Sequence, residues 1–365
     1  MKISELTNYL EQIAPLAYQE SYDNSGLLVG HPNQEVHQAL IALDCTEAVI
    51  DDAIAKGCDI VICHHPIIFS GLKRLNGNNY IERTILKAIK NDIAIYAIHT
   101  NLDNIYGGVS SKIAERLGLE QHAVLKPKKN LLKKLIVFVP RTHVEEVRNA
   151  LFAAGAGSIG DYDQCSYNTA GYGTFRPLSN ANPTIGEVGV QERVEETKIE
   201  VIFPSNIERK LILALYASHP YEEVAYDLIS LENTHSQVGS GAIGNLPAPM
   251  LETDFLAHLK NKLAVKVIRH TKLLNKPIQR VAVCGGAGGF LLADAKRSGA
   301  DIFITADYKY HEFFDAEDDI IIADVGHYES EQFTQELLLE IIQKKFANFA
   351  VLLTEIDTNP IKYYS

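Results

Sequence analysis

Residues 38–66 read QALIALDCTEAVIDDAIAKGCDIVICHHP. An apolar run, Ala39 to Leu43, leads through Thr46 into a helical stretch ending at Lys56. Gly57 follows, and then a second apolar run, Asp59 to Cys63. Short apolar runs without alternation read as strands covered on both faces, while Thr before and Gly after a periodic stretch are helix start and stop signals. Two strands joined through a helix run parallel and need helices on the sheet. Outward from this unit the rhythm continues. A helix is expected over Ile81–Asn91, a strand over Ile93–Ile98 and a helix over Ser110–Leu117 ended by Gly118. Upstream lies a helix over Ser4–Ile13 with Ser4 as its cap. The reading is an α/β fold with a mixed, mostly parallel sheet.

The same unit returns near the end of the chain. Gln38–Asp44, Asp52-Ala53 and Gly57–Ile62 align without gaps, at an offset of 242, with the stretch from Arg280, with Asp294-Ala295 and with Gly299–Ile304. A second block, Asp92–Ile95, matches Asp319–Ile322 at an offset of 227. Two blocks in one order predict duplicated α/β halves lying side by side; chance likeness between two α/β units is the competing account. Between them the rhythm changes: strand 135–139, helix 142–154, strand-like stretches 164–175 and 196–203, helix 206–217, strand 224–231. That β-α-β-β-α-β order is the ferredoxin-like pattern. The expected organisation is therefore a duplicated α/β/α core interrupted by an inserted ferredoxin-like (α+β) domain, with core half 1 at 1–127, the insert at 128–235 and core half 2 at 236–365. The Lys-rich run Lys126–Lys134 reads as a solvated linker, and Gly239, Gly241, Gly244, Pro247 and Pro249 as a hinge.

A net charge of −12 argues against a broad phosphate-binding surface, so nucleic acid is not an expected partner. No apolar stretch reaches the length of a membrane span and no apolar signal core follows Met1. The five cysteines are scattered and odd in number, and three lie in apolar strand-like runs, where a reduced, buried thiol is the default. A cytoplasmic protein is expected.

Chemically capable residues follow the strands. They are His64-His65, His99 to Asp103, Asp307 with His311, and His327 to Glu331. Open α/β sheets place ligands outside the carboxyl ends of their strands, so these four clusters are expected to converge. His327 and Glu331, four apart, share one helical face. Imidazole with carboxylate suits zinc, iron, manganese or nickel. Adjacent His64 and His65 point to opposite sides of a strand end, one for each of two divalent ions. Five ligands, His64, His65, Asp103, His327 and Glu331, serve two ions only if one carboxylate bridges, and Glu331 is the candidate. His99, Asp307 and His311 would then be acid/base groups or supports that orient ligands. A Cys63–His99 nucleophile pair is a competing reading, disfavoured because Cys63 lies inside an apolar run.

The motifs YDNSGLLVG (22–30), CHHP (63–66), HTNLD (99–103), TADYKYH (305–311) and GHYESE (326–331), with GAGSIG (155–160), GYGTF (171–175) and HPYEE (219–223), run in order along the chain. The sequence resembles the dinuclear metal-centre family of GTP cyclohydrolase 1 type 2 homologues, in its long bacterial form. The resemblance implies a toroidal homohexamer whose metal sites face an internal cavity, and an insert related to small trimeric signalling and metal-tolerance domains. It also carries the five ligand positions onto His64, His65, Asp103, His327 and Glu331. Tyr22 stands where Trp is usual and Ala306 where Gly is usual; neither is a ligand. Two functions follow as expectations: a metal-dependent hydrolase acting on a nucleotide or related small molecule, or a non-enzymatic metal-dependent scaffold or sensor. No Gly-x-x-x-x-Gly-Lys-Ser/Thr loop exists for a phosphate.

Overall fold

The computed structural model describes residues 1–364. The chain divides into two compact units, one made of Met1–Pro127 with Gln237–Ser365 and one of Lys128–Ser236. In chain order the strands are β1 (Gly26–Val29), β2 (Gln38–Asp44), β3 (Ile60–His65), β4 (Ala94–Ala97), β5 (Glu120–Lys128), β6 (Leu132–Pro140), β7 (Tyr167–Phe175), β8 (Glu192–Pro204), β9 (Tyr226–Leu231), β10 (His235–Met250), β11 (Arg269–His270), β12 (Ile278–Val283), β13 (Ile302–Thr305), β14 (Ile321–Asp324) and β15 (Ala350–Leu353).

The first unit holds two sheets. One has the order β1-β4-β3-β2-β15 and the other β11-β14-β13-β12-β10-β5. In each, three consecutive strands run parallel, β2-β3-β4 and β12-β13-β14, and a short antiparallel strand pairs with the last of them, β1 on β4 and β11 on β14. The sheets are mixed because β10 also runs antiparallel to β12, whereas β15 is parallel to β2. β2, β3 and β4 are apolar on both faces because both faces are covered. The helices Val109–Leu117 and Thr334–Lys345 touch each other, and between them they reach β12 on one sheet and β2, β3 and β15 on the other. One apolar cluster, containing Ile41, Ile62, Tyr96, Val281, Ile304 and Ile321, therefore spans both sheets. Thr46 accepts from the Val49 amide to start the helix Glu47–Lys56, and Gly57, at φ +68°, ends it in the left-handed region.

Three expectations are corrected. Lys2, not Ser4, caps the first helix, which begins at Ile3. The Lys-rich run is not a free linker: it spans the end of β5 and the start of β6, where Lys133 pairs with Glu208 and Lys134 with Glu200. The Gly/Pro boundary is not a hinge but the long strand β10, next to β5 in its sheet. A Cβ at Gly239 would collide with the Lys126 carbonyl, and one at Gly244 would meet Leu119 and His122 at about 3 Å. These glycines are there for close strand approach rather than for bending.

The second unit is a four-stranded antiparallel sheet ordered β7-β8-β6-β9. Leu135, Val137, Val139, Ile199, Val201 and Phe203 bury one face against the helices Val144–Ala154 and Glu208–Ser218.

Candidate metal centre

The site is assembled at strand ends of the first unit. Asp44 and His65 stand opposite each other at the ends of β2 and β3. His65 Nδ1 lies 2.7 Å from Asp44 Oδ1, and the other Asp44 oxygen accepts from Thr358 Oγ1 at 2.6 Å. His64, on the opposite side of the strand, is fully buried, with Nδ1 2.8 Å from the Ile98 carbonyl. His327 opens a short helix after β14, and its Nδ1 lies 2.7 Å from Asp307 Oδ2. In each of the three imidazoles Nδ1 therefore faces an acceptor and can hold a proton toward it, which turns Nε2 to the cluster as the end that would ligate an ion in place of its own proton.

Those Nε2 atoms converge on Glu331. Its Oε2 lies 2.9 Å from His65 Nε2 and 3.1 Å from His327 Nε2, and its Oε1 lies 3.9 Å from His64 Nε2. His65 and His327 Nε2 are 3.3 Å apart. On the far side of His64, Asp103 Oδ1 is 3.5 Å from Nε2. Among the described residues, neither His64 Nε2 nor Asp103 Oδ1 has a hydrogen-bond partner, although both atoms are buried. Three overlapping donor groups result, each within the span of one ion: His65, His327 and Glu331; His64, Asp103 and Glu331; and His64, His65 and His99.

The electrostatics match a place for positive charge. Burial drives the His64 imidazole down to about 3. Burial acts on His65 in the same direction, but its bonds to Asp44 and Glu331 outweigh it and push the ring up to about 10. His327 rises to about 9 against burial, through Glu331 and Asp307. Burial and then the charge of Glu331 raise the Asp103 carboxyl well above the ordinary carboxylate range. Two carboxylates brought together around imidazole Nε2 atoms, with His64 Nε2 and Asp103 Oδ1 left without hydrogen-bond partners, fit divalent ions bound by N and O ligands.

His99 belongs to the same cluster. Its ring is 5.2 Å from that of His64 and 5.4 Å from that of His65, and its Nδ1 lies 2.8 Å from Asp23 Oδ1. Asp23 is itself held by the Thr100 amide, the Thr100 hydroxyl and Ser25 Oγ. Burial alone would raise the Asp23 carboxyl, yet the bonds from His99 and Thr100 hold it far below its ordinary range. His311 is not brought in: it is exposed, packs against Tyr310 and Phe314, and does not line the cavity over the cluster. Cys63 is fully buried within β3, where its thiol is pushed well up by its neighbour Cys45 and by burial, so the Cys63–His99 nucleophile reading is dropped.

A profile of the family described as Duf34/NIF3 (NGG1p interacting factor 3) matches residues 1–360. The chain belongs to that family. It is 40% identical over 365 residues to a Bacillus subtilis (strain 168) protein named GTP cyclohydrolase 1 type 2 homolog, covering 98% of each chain. It is 41% identical to a protein of the same name from Halalkalibacterium halodurans, covering 97% of this chain and 96% of that one. Among solved structures, a Bacillus cereus protein related to NIF3 superposes with a TM-score of 0.87 at 41% identity, covering 100% of this chain and 99% of that one.

Four residues of this Duf34/NIF3 site escape the sequence reading as participants: Asp23, Asp44, Thr358 and Gly286. Asp44 ends a parallel strand, so the strand-end rule that finds His64 applies to it equally. Asp23 and Thr358 reach the site from irregular segments and carry no periodic signal. Gly286, in the turn after β12, has φ +61°, and a Cβ there would run into the Glu331 carboxylate.

Proposed function

We propose that this Duf34/NIF3 protein is a metallohydrolase that binds two divalent ions per chain, of zinc, iron, manganese or nickel, through His64, His65, Asp103, His327 and Glu331. The observation that carries this reading is the convergence of three oriented Nε2 atoms on one buried Glu331 carboxylate, with His64 Nε2 and Asp103 Oδ1 lacking any partner among the described residues. Paired ions supply an activated water and neutralise developing negative charge. Asp307 and Asp44 hold His327 and His65 in the tautomer that ligation needs. His99, fixed through Nδ1 by Asp23, presents Nε2 to the cluster and is placed to take up or return a proton there. His311 has no part in it.

The relatives' name supplies GTP cyclohydrolysis as the reaction to test first. The same reading takes the two sheets of common strand order as duplicated halves, the second unit as a ferredoxin-like insert at 128–235, and the assembly as a toroidal homohexamer. Protein loaded with manganese, iron or zinc should carry about two ions per chain. It should turn over a member of a panel of free bases, nucleosides, nucleotides, phosphodiesters and GTP, and His64→Ala should abolish that turnover. One ion or none after reconstitution refutes the dinuclear centre; two ions without turnover under any metal refute the hydrolase in favour of a metal-dependent scaffold.

All five proposed ligands lie in the first unit. Gly239 packs against Lys126 and Pro127, so the two points where the chain leaves and re-enters that unit are neighbours. Joining Pro127 to Gln237 through a short Gly/Ser linker should therefore leave a folded, ion-loaded core. Metal analysis of the purified variant checks this, and a folded core without ions contradicts it.

A further inference from the structure

A cavity of about 940 Å³ stands over the cluster, with His65, His99, Asp103, His327 and Glu331 in its floor. Among the described residues, no Lys and no Arg lines it. Lys73 and Arg74 lie on the segment that forms one wall, but neither side chain lines the cavity. Glu20 and Asp44 add further negative charge. The Gly-rich turn Gly285–Gly289 is the feature most like a phosphate cradle, yet three of its five amides face side-chain hydroxyls. Gly286 N donates to Ser330 Oγ, Gly288 N to Thr305 Oγ1, and Gly285 N faces Ser110 Oγ. Thr46 caps the helix that starts at the cavity, and Glu47 sits in its first turn. Phosphate sites use free amides, Arg or Lys, and this cavity offers none of the cationic side chains.

What the cavity does offer is aromatic surface. Tyr22, Phe69, Tyr80 and Phe290 all line it and are each more than half exposed. Clustered, exposed apolar side chains at a concave site mark ligand contact. The Phe69 and His99 rings stand nearly perpendicular, 5.7 Å between centroids, which places this aromatic surface beside the proposed acid/base group.

We infer that the substrate of this centre is a planar, uncharged ring compound without phosphate groups, seated on Phe69, Tyr80 and Phe290 beside His99. The inference rests on the hydrolase reading above and narrows it: a triphosphate tail would have only the ions themselves for partners and would face Glu20 and Asp44.

The test is equilibrium dialysis of the full-length, ion-loaded protein against guanosine, adenosine, nicotinamide, GTP and tripolyphosphate, with bound metal measured in the same cells. At least one uncharged ring should be retained as tightly as GTP or more so, and tripolyphosphate should not displace it. Phe69→Ala should weaken that ring about tenfold, the scale of one lost stacking contact, with ion content unchanged. Lys73→Ala with Arg74→Ala should alter neither guanosine nor GTP binding. GTP binding about tenfold tighter than every one of the uncharged rings overturns the inference. So does selective loss of GTP binding in the Lys73/Arg74 variant, or failure of an ion-loaded chain to retain any ring. A chain that takes up no ions overturns the hydrolase reading first, and the metal measurement tells the two failures apart.

Discussion

Glu331→Gln should strip the protein of both proposed ions, whereas Asp103→Asn should cost mainly one. The Glu331 carboxylate is almost fully buried and turns one oxygen to His65 and His327 and the other toward His64. Gln has nearly the same size, but it replaces one oxygen by an NH2 group, which can only donate. Either way the amide turns, one ion position meets a donor where it needs a lone pair, and the negative charge common to both positions is gone. Asp103 faces His64 alone among the three proposed histidine ligands, from a residue about a quarter exposed, so its loss is local. Removing a mere supporting group costs a metal site about 10–100-fold in affinity, which sets a lower bound for a bridging ligand. We expect Glu331→Gln to weaken loading by at least about 100-fold at both positions, and Asp103→Asn by about tenfold at one. Titration with a metallochromic indicator reads both; equal losses at the two residues would remove the bridging role from Glu331.

How far the sequence speaks depends on how local each signal is. β2 and β3 are legible to within two residues because covered parallel strands are short, apolar along most of their length and bounded by caps such as Thr46 and Gly57. The convergence of His64, Asp103, His327 and Glu331 is legible because all four lie at or beyond the ends of strands whose order the sheet dictates. β1, β11 and β15, by contrast, are short and lie at the margins of the alternating pattern. Their pairing is decided by neighbours far away in the chain. β10 misleads because its glycines look like punctuation one residue at a time; only the proximity of Lys126 and Leu119 shows that they admit a neighbouring strand. His311 is drawn in by its sequence distance from Asp307. Asp307 takes a left-handed backbone at φ +55° and the next residues turn away into a 3-10 helix, so His311 ends on the surface. Strand-end position thus predicts a side chain's place only while the backbone stays regular.

Gly286→Ala should weaken metal loading at least about tenfold although residue 286 offers no ligand atom. The Gly286 amide donates to Ser330 Oγ, and its carbonyl accepts from the Ala306 amide at 2.9 Å and from Thr305 Oγ1 at 3.1 Å, so the turn is pinned and cannot back away. An added Cβ would collide with Glu331 Oε1 and stand 3.2 Å from His327 Cε1. The carboxylate is the part that can move, and moving it undoes the contacts with His64 and His65. The left-handed backbone adds a separate cost of about 1–2 kcal/mol for any residue with a Cβ. That cost can be measured by itself at Gly299, which has φ +72° and nothing within 4 Å of the place a Cβ would take. Gly299→Ala should therefore lower the melting temperature by a few degrees, on the order of 2–4 °C per kcal/mol for a domain of this size, and keep its full ion content. Gly286→Ala should show a similar thermal loss in the metal-free protein, and in addition bind ions at least about tenfold more weakly, as expected when a ligand is displaced rather than deleted. A Gly286→Ala protein that is destabilised like Gly299→Ala yet loads both ions normally would show that Glu331 can reach them from elsewhere, and the turn after β12 would lose its place in the centre.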